Sequence, residues 1–314
     1  MEQEQLADIL ACLDQKKWIV NFYEDCYAVF VLHHWLMKRG GTAPVRSIKA
    51  SPMAKLLNKP ILKQLTAKAQ DISTDMLEQI WSTQCEPLVI TLGKWGQGRN
   101  GYGLSDQTSR PGTNLVLQVN LSNQWNRSLQ RALSMDANEC FDCGHPINSE
   151  RACTLGWVRL DLDFTTNEVL IEEVQSDFVR WIKTLHEHAQ QAWNEQDAQF
   201  RYRGRLFNTT SVRDGLQGFN SMVFSQWQEA LLWTALWFCK KELGMDNIFY
   251  HTYETGAMLK SIGFRKPPKS LYSSLPKKFC FELTETIPRF LASDRRAKRR
   301  LKAHKEVAFY KWVA

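Results

Sequence analysis

The segment SQWQEALLWTALWFCKKELG, residues 225–244, most constrains how this chain can fold. Its apolar residues lie on most faces of a helix, and Gly244 supplies a common helix stop. The hairpin pattern GWVRLDLDFTTNEVLIEEV precedes it, the strand NIFYHT follows it, and a short helix and a last strand, KKFCFELT, come after these. This order predicts an α/β fold with a mixed, mainly antiparallel sheet flanked by helices.

The chain divides into three regions by sequence pattern. Residues 1–84 show helix-spaced apolar positions, as in EQLADILACLDQ, and either form a helix-turn-helix or dock on the rest of the chain. Strand-like segments begin at Glu86, so we assign residues 85–292 to one α/β domain, within which FRYRGRLFNTTSVRDGLQGFNS looks irregular. Residues 293–314 form a basic C-terminal helix or tail.

Composition favours a cytoplasmic protein with no membrane segment. Of 314 residues, 44% are hydrophobic and 23% charged, and no run approaches the ~18 apolar residues of a membrane span. The net charge of +7 is local, because DRRAKRRLKAHK (residues 294–305) has seven Lys/Arg and one Asp, a sum of +6. This run is either a solvated helix or a nucleic-acid site. Its candidate contact residues are Arg295, Arg296, Lys298, Arg299, Arg300 and Lys302.

A cysteine cluster between residues 140 and 153 has the shape of a metal knuckle. Two cysteines two residues apart and followed by glycine can turn tightly around a structural Zn²⁺. The candidate ligands are Cys140, Cys143, His145 and Cys153, with Cys85 or a distant histidine as a replacement for His145. Unliganded thiols or a redox pair are the alternatives.

Polar side chains are dense where VLIEEVQSDF passes from strand to helix. Strand alternation puts Glu172 and Val174 on one face and Glu173 and Gln175 on the other. If NIFYHT lies alongside, His251 joins Glu173 and Gln175 at one end of the sheet, with Glu173 as a general base.

The alternative for this stretch is a structural one. Ser176 or Asp177 caps the next helix, Glu173 pairs with Arg180 or Lys183, and His251 is a satisfied histidine at a strand end. In the functional interpretation, Tyr272 joins the group as an acid or a donor to phosphate.

The segment ALLWTALWFCKKELGMDNIFYHTYETGAMLKSIGF resembles the second half of the GNAT acyltransferase fold, over about 110 residues. That resemblance implies acetyl-coenzyme A lying in a splay between two central strands, with its pyrophosphate on amides that open the long helix. The nearest match to the family's pyrophosphate loop is RDGLQG, although its glycines stand at different offsets and precede the helix. The implied cofactor-binding residues are Arg213, Gly215 and Gly218.

A second resemblance is more local. The string Glu173-Val174-Gln175-Ser176-Asp177 is similar to the Glu-aliphatic-Gln-Ser-Asp signature of domains in large phage and prophage polyproteins, which also carry a Trp-led helix and a Tyr-containing Leu-Pro-Lys motif. Here QWQEALLWTALWFCKKELGMD and LYSSLPKKF correspond, across residues 168–279. The resemblance implies a phage or mobile-element setting.

Two functions emerge as hypotheses. The first is a GNAT-like transferase that acts on a macromolecular or nucleotide-like substrate. The second is a non-catalytic module that binds nucleic acid or protein through the helical N-terminus and the basic C-terminal segment.

Overall fold

The computed structural model describes residues 1–96, 107–134, 153–220, 222–263, 267–304 and 306–314. Within them, the strands are β1 (Lys17–Phe22), β2 (Thr42–Pro44), β3 (Asp71–Ser73), β4 (Glu86–Trp95), β5 (Asn114–Asn120), β6 (Thr154–Asp163), β7 (Glu168–Gln175), β8 (Gln199–Tyr202), β9 (Arg205–Asn208), β10 (Asn247–His251), β11 (Phe281–Thr284) and β12 (Phe309–Trp312). The helices are α1 (Gln3–Cys12), α2 (Cys26–Met37), α3 (Val45–Lys49), α4 (Pro60–Thr66), α5 (Thr74–Glu78), α6 (Asn123–Leu133), α7 (Asp177–Asn194), α8 (Thr209–Gly215), α9 (Met222–Ser225), α10 (Trp227–Lys241), α11 (Tyr253–Leu259), α12 (Ser274–Lys278), α13 (Arg289–Ser293) and α14 (Arg295–Lys302). Short 3₁₀ helices lie at Pro52–Asn58, Gln217–Asn220 and Lys269–Tyr272.

Eight strands of the described chain form one sheet in the order β1-β4-β5-β6-β7-β10-β12-β11. The pair β7 and β10 is parallel, and the other neighbouring pairs are antiparallel. Two small antiparallel pairs, β2 with β3 and β8 with β9, lie outside this sheet. The predicted mixed, mainly antiparallel sheet flanked by helices is therefore confirmed.

Apolar side chains cover both faces of the sheet. The larger core cluster contains the inward residues of β4 to β7 together with α2 and α10, and α10 is buried on most sides as its sequence predicts. A smaller cluster on the other face joins Leu170 of β7 and Phe249 of β10 to residues of α11, α13 and α14. In the described part of the chain, no helix has both the length and the apolar character that a membrane span needs.

Strand β1 departs from the all-helical prediction for residues 1–84. Helices α1 and α2 are confirmed, but KWIVNF alternates exposed and buried side chains and pairs with β4. Its inward residues are Trp18, Val20 and Phe22. This period of two is the signature of a half-buried strand, so the N-terminal region contributes an edge strand to the α/β sheet.

Two further segments gain structure that the sequence pattern did not reveal. The segment FRYRGRLFNTTSVRDGLQGFNS, which was predicted to be irregular, contains most of the hairpin of β8 and β9. Arg203 and Gly204 both have positive φ, which suits the two-residue turn between these strands. At the C-terminal end, the apolar stretch after the basic helix forms β12, which inserts between β10 and β11. The basic segment is therefore a helix followed by a strand of the main sheet.

Candidate active site

A β-bulge interrupts β7 at Glu172. Arg159 of β6 pairs with Glu173 of β7, and the following residue of β6, Leu160, pairs with Ile171. Glu172 is therefore an extra residue in β7. Ile171 and Val174 consequently pack in the same core cluster although they are three positions apart. The two glutamates between them therefore lie together on the opposite face of the sheet.

The bulge overturns one part of the alternation argument. Glu172 and Val174 were expected on one face, and that expectation is wrong because alternation restarts after the extra residue. Glu173 and Gln175 still share a face, since the alternation is regular beyond Glu172.

The Glu172 carboxylate is fully buried and accepts hydrogen bonds from two segments of the chain. The backbone N–H of Ser109 donates to Oε1 over 3.0 Å, and the Ser109 hydroxyl donates to Oε2 over 2.9 Å. His251 Nε2 lies 3.1 Å from Oε2 of Glu172 and 2.8 Å from Ser109 Oγ. Ser109 and His251 are also fully buried, so this cluster is closed to solvent.

Protonation in this cluster is set by burial and by the donors. Burial alone would raise the pKa of Glu172, but the hydrogen bond and charge of His251 and the charges of Lys260 and Arg159 outweigh it and lower that pKa to about 2. Burial lowers the pKa of His251, despite its bond to Glu172. We therefore describe Glu172 as a carboxylate that accepts a hydrogen bond from Nε2–H of His251.

This arrangement is not a Ser-His-acid relay. Such a relay has the serine on one imidazole nitrogen and the acid on the other. Here Ser109 and Glu172 both meet Nε2 of His251, and Nδ1 has no hydrogen-bond partner among the described residues. The three side chains instead hold the bulge in place.

Two cations balance the two carboxylates of the bulge. Arg159 Nε lies 2.8 Å from Glu173 Oε2, with the two side chains 1% and 12% exposed. The buried Lys260 ammonium donates to the backbone carbonyl of Glu172 over 2.7 Å. Burial lowers the pKa of Lys260, while the charges of Glu173 and Glu172 oppose that shift. Because an unpaired buried charge is strongly unfavourable, the balance of charges permits this burial.

The backbone pairing of the parallel strands β7 and β10 ends beside the bulge. Their paired residues end at Ile171 and Tyr250. β7 continues beside β6 as far as Gln175. Just past the last pair, the Lys260 ammonium reaches the Glu172 carbonyl. We take as the candidate site the place where the backbone pairing of two central parallel strands ends at their carboxyl ends, and we call this end of the pairing the gap. Ligand sites in α/β sheets commonly lie at such strand ends.

The sequence-predicted residues are only partly brought together. His251 lies against Glu172 and not, as expected, against Glu173. Tyr272 lies near the gap, with its ring centroid 5.5 Å from Lys260 Nζ. Burial raises the pKa of Tyr272, helped by Tyr250 and the charge of Glu173, so its hydroxyl remains a donor.

The helix-cap interpretation is confirmed for Ser176. Its side-chain oxygen accepts a backbone N–H in the first turn of α7, and the Gln175 amide donates to Asp177 Oδ1 over 3.1 Å. The suggested pairing of Glu173 with Arg180 or Lys183 is wrong for Arg180, which pairs with Asp177. Ser176 and Asp177 therefore have structural roles.

Sequence reasoning missed three residues of the site: Ser109, Arg159 and Lys260. A charged residue at an inward position of a strand is a usable signal for Arg159. Lys260 ends a short helix and Ser109 lies in a loop, and neither position shows a local pattern.

The stretch expected to bind pyrophosphate makes contacts with neighbouring residues of the protein. Arg213 pairs with Asp214 over 2.7 Å, and its guanidinium carbon lies 3.5 Å from the centroid of the Trp193 ring. A Cβ on Gly215 would lie 2.4 Å from Ala132 Cβ, so this glycine permits close packing of α8 on α6. Gly218 comes next, in a 3₁₀ helix. These contacts do not fit a pyrophosphate cradle.

The predicted zinc knuckle lies largely outside the described residues. That is the case for Cys140, Cys143 and His145. Cys153 is buried just before β6, with a positive φ of 47°, and Cys85 is exposed. No group of three or more His, Cys, Asp or Glu that could hold a metal occurs within the described ranges. The zinc site stays a prediction.

The basic run forms α14, which packs on the sheet through two small or apolar residues. Ala297 and Leu301 are buried in the smaller core cluster, and Arg300 donates to the carbonyl of Leu259. The other predicted contact residues are exposed, namely Arg295, Arg296, Lys298, Arg299 and Lys302. The helix therefore shows a basic outer face.

Comparisons with known proteins return no relative. No protein-family model, no curated protein and no solved structure matches this chain.

Proposed function

We propose that this chain is a GNAT-like acyltransferase whose acyl donor is a thioester such as acetyl-coenzyme A. The observation that carries the proposal is the gap where the ladder between β7 and β10 ends at Ile171 and Tyr250. Charged groups line this gap and β7 is bulged beside it. The resemblance noted in the sequence implies a ligand between two central strands, and the pairing of β7 with β10 stops at this place.

The residues around the gap divide into supporting and reacting groups. Glu172 is saturated with donors, so it positions the bulge. Glu173 is slightly exposed, and we assign it the role of general base for the acceptor. A bound thioester supplies an acyl carbon that is activated for attack. The acceptor remains macromolecular or nucleotide-like in this proposal, in a phage or mobile-element setting.

Native mass spectrometry of the full chain with acetyl-coenzyme A tests this function. We expect one bound molecule, because the gap presents backbone groups of β7 beyond its last pairing with β10. Hydrogen exchange should then show protection gained at residues 172–175 and 252–260. Residues 209–218 serve as the internal control and should be unchanged, since their contacts do not fit pyrophosphate. Absence of binding, or protection confined to residues 209–218, would contradict the proposal.

The second candidate function, nucleic-acid binding without catalysis, rests on the exposed basic face of α14. Phosphate contacts release counterions, so affinity should fall steeply with salt. For duplex DNA, the double variant R295Q/R299Q should reduce the slope of log affinity against log salt by about 1–2. Fluorescence anisotropy with a labelled duplex measures it.

The matched control for this experiment is K16Q/K17Q, which removes the same charge from exposed residues before and at the start of β1. It should leave the slope unchanged. A slope that is flat in the wild type, or that both double variants reduce equally, would count against α14 as a specific site.

A further inference from the structure

The hairpin of β8 and β9 is basic along its whole length. Its sequence, QFRYRGRLFN (residues 199–208), contains three arginines and no carboxylate, a net charge of +3. Arg201, Arg203 and Arg205 are all exposed to solvent. The nearest acidic residue before the hairpin, Asp197, precedes β8 and so lies at the end away from the turn. A polyanion therefore complements the charge of this hairpin.

One face of the hairpin packs on the protein, which leaves the other face to solvent. Phe200 pairs with Phe207 across the two strands, and Phe207 is buried while Phe200 packs against the larger core cluster. On the same face, the ring centroid of Tyr202 lies 5.0 Å from that of His188 in α7. Because side chains alternate along a strand, the residues between these aromatic positions belong to the outer face.

The outer face carries two cross-strand pairs, Gln199 with Asn208 and Arg201 with Leu206. All four residues are exposed, and the exposed fraction of Leu206 is 52%. Arginine binds guanine through O6 and N7, glutamine binds adenine through N6 and N7, and an apolar side chain contacts the methyl group of thymine. Asn208 has another role, because its side chain accepts the N–H of Ser211 and caps α8. The other three are residue types that read base edges.

The shape of the hairpin favours duplex DNA among the nucleic acids. Paired strands lie about 4.8 Å apart, and the major groove of B-form DNA, about 12 Å wide, admits a two-stranded ribbon. The corresponding groove of duplex RNA is too narrow for side chains to read. A single strand is bound mainly by stacking of its bases on aromatic rings. Here the rings of Phe200 and Tyr202 lie on the face that packs on the protein.

We propose that the β8–β9 hairpin reads duplex DNA from the major groove. Arg201 binds a guanine, Gln199 binds an adenine on the same face, and Arg203 in the turn contacts the phosphate backbone. This inference goes beyond the acyltransferase function and does not depend on it. The hairpin is also a different element from α14, whose basic face has no strand pairing to align base-reading side chains.

Selection from a pool of random DNA duplexes by the full-length protein tests this proposal, at an ionic strength of about 0.15 M. Fluorescence anisotropy then compares the enriched duplex with a scrambled duplex of the same composition. We expect a motif that contains guanine and a clear preference for the enriched duplex. The variant R201Q should lower this preference by about 5- to 150-fold, the discrimination that one bidentate base contact supplies.

Two variants that remove the same charge serve as controls. R203Q, in the turn, should weaken the enriched and the scrambled duplex alike and reduce the salt slope by about 1, because a phosphate contact carries no sequence information. R46Q, exposed on α3, should change neither quantity. The three arginines are exposed, so the thermal midpoints should stay at the wild-type value, which separates loss of binding from loss of fold.

Several results would overturn the proposal. The first is a pool without an enriched sequence, or equal affinity for the enriched and scrambled duplexes. The second is a preference that R201Q leaves unchanged or that R46Q lowers as much as R201Q does. Tighter binding of the same sequence as single-stranded DNA or duplex RNA would also overturn it. If R295Q/R299Q removed the preference and R201Q kept it, the reading surface would be α14 and not the hairpin.

Discussion

Replacing Glu172 with glutamine is expected to lower the free energy of unfolding by about 3–5 kcal/mol. The carboxylate accepts from the Ser109 N–H at one oxygen and from Ser109 Oγ and His251 at the other. A glutamine amide has one oxygen and one N–H₂ group in place of the two carboxylate oxygens. The donors that face the N–H₂ group would therefore lose their acceptor. The substitution also removes one negative charge from a cluster that holds Arg159 and Lys260.

Urea unfolding at neutral pH measures this effect, with E187Q as the control. Glu187 is exposed on α7, so that variant should stay within about 0.5 kcal/mol of the wild type. Acid provides a second measurement, because the pKa of Glu172 is lowered from 4.5 to about 2 in the folded protein. Its stabilisation is complete above pH 4.5 and is lost as the pH falls toward 2. E172Q should lack this component, and an identical acid profile in both proteins would contradict the assignment.

Replacing Arg159 with methionine is expected to lower the free energy of unfolding by about 3–5 kcal/mol as well. Arg159 is 1% exposed and pairs with Glu173 over 2.8 Å. Methionine fills much of the volume but leaves two carboxylates, Glu172 and Glu173, against the single cation of Lys260. The uncompensated buried charge is the source of the loss.

A double-mutant cycle isolates that charge. R159M/E173Q again has one carboxylate and one cation, so we expect it to recover about 2 kcal/mol relative to the sum of the single variants. R180M, which breaks the exposed Arg180–Asp177 pair, is the control and should change stability by less than about 1 kcal/mol. Strict additivity of R159M and E173Q would mean that the two side chains are not energetically coupled.

Much of the sheet was predictable because its strands have clear periods and ordinary turns. The β6–β7 hairpin, the apolar helix α10 and strand β10 are all indicated by the sequence pattern. Strand β12 was not, since FYKW is short and its place between β10 and β11 depends on long-range pairing. Such pairings leave no mark on local propensity.

The candidate site was harder to predict than the fold, for a specific physical reason. One extra residue at Glu172 reverses the alternation after it, and no single-sequence pattern indicates a bulge there. His251 ends a strand as predicted, but its partner is Glu172. Ser109 and Lys260 approach from segments 63 and 88 residues away from Glu172 along the chain, where only tertiary structure brings them together.

The insertion of β12 has a consequence for how this side of the sheet assembles. β11 joins the sheet through β12, so the ladder from β10 to β11 closes only after residues 309–312 have threaded between them. Pairings between distant parts of a chain form slowly and late. The basic helix α14 directly precedes this strand and packs on the same part of the fold. Loss of residues 309–312 would therefore leave β11 without its partner in the sheet, while the pairing of β7 with β10 would remain.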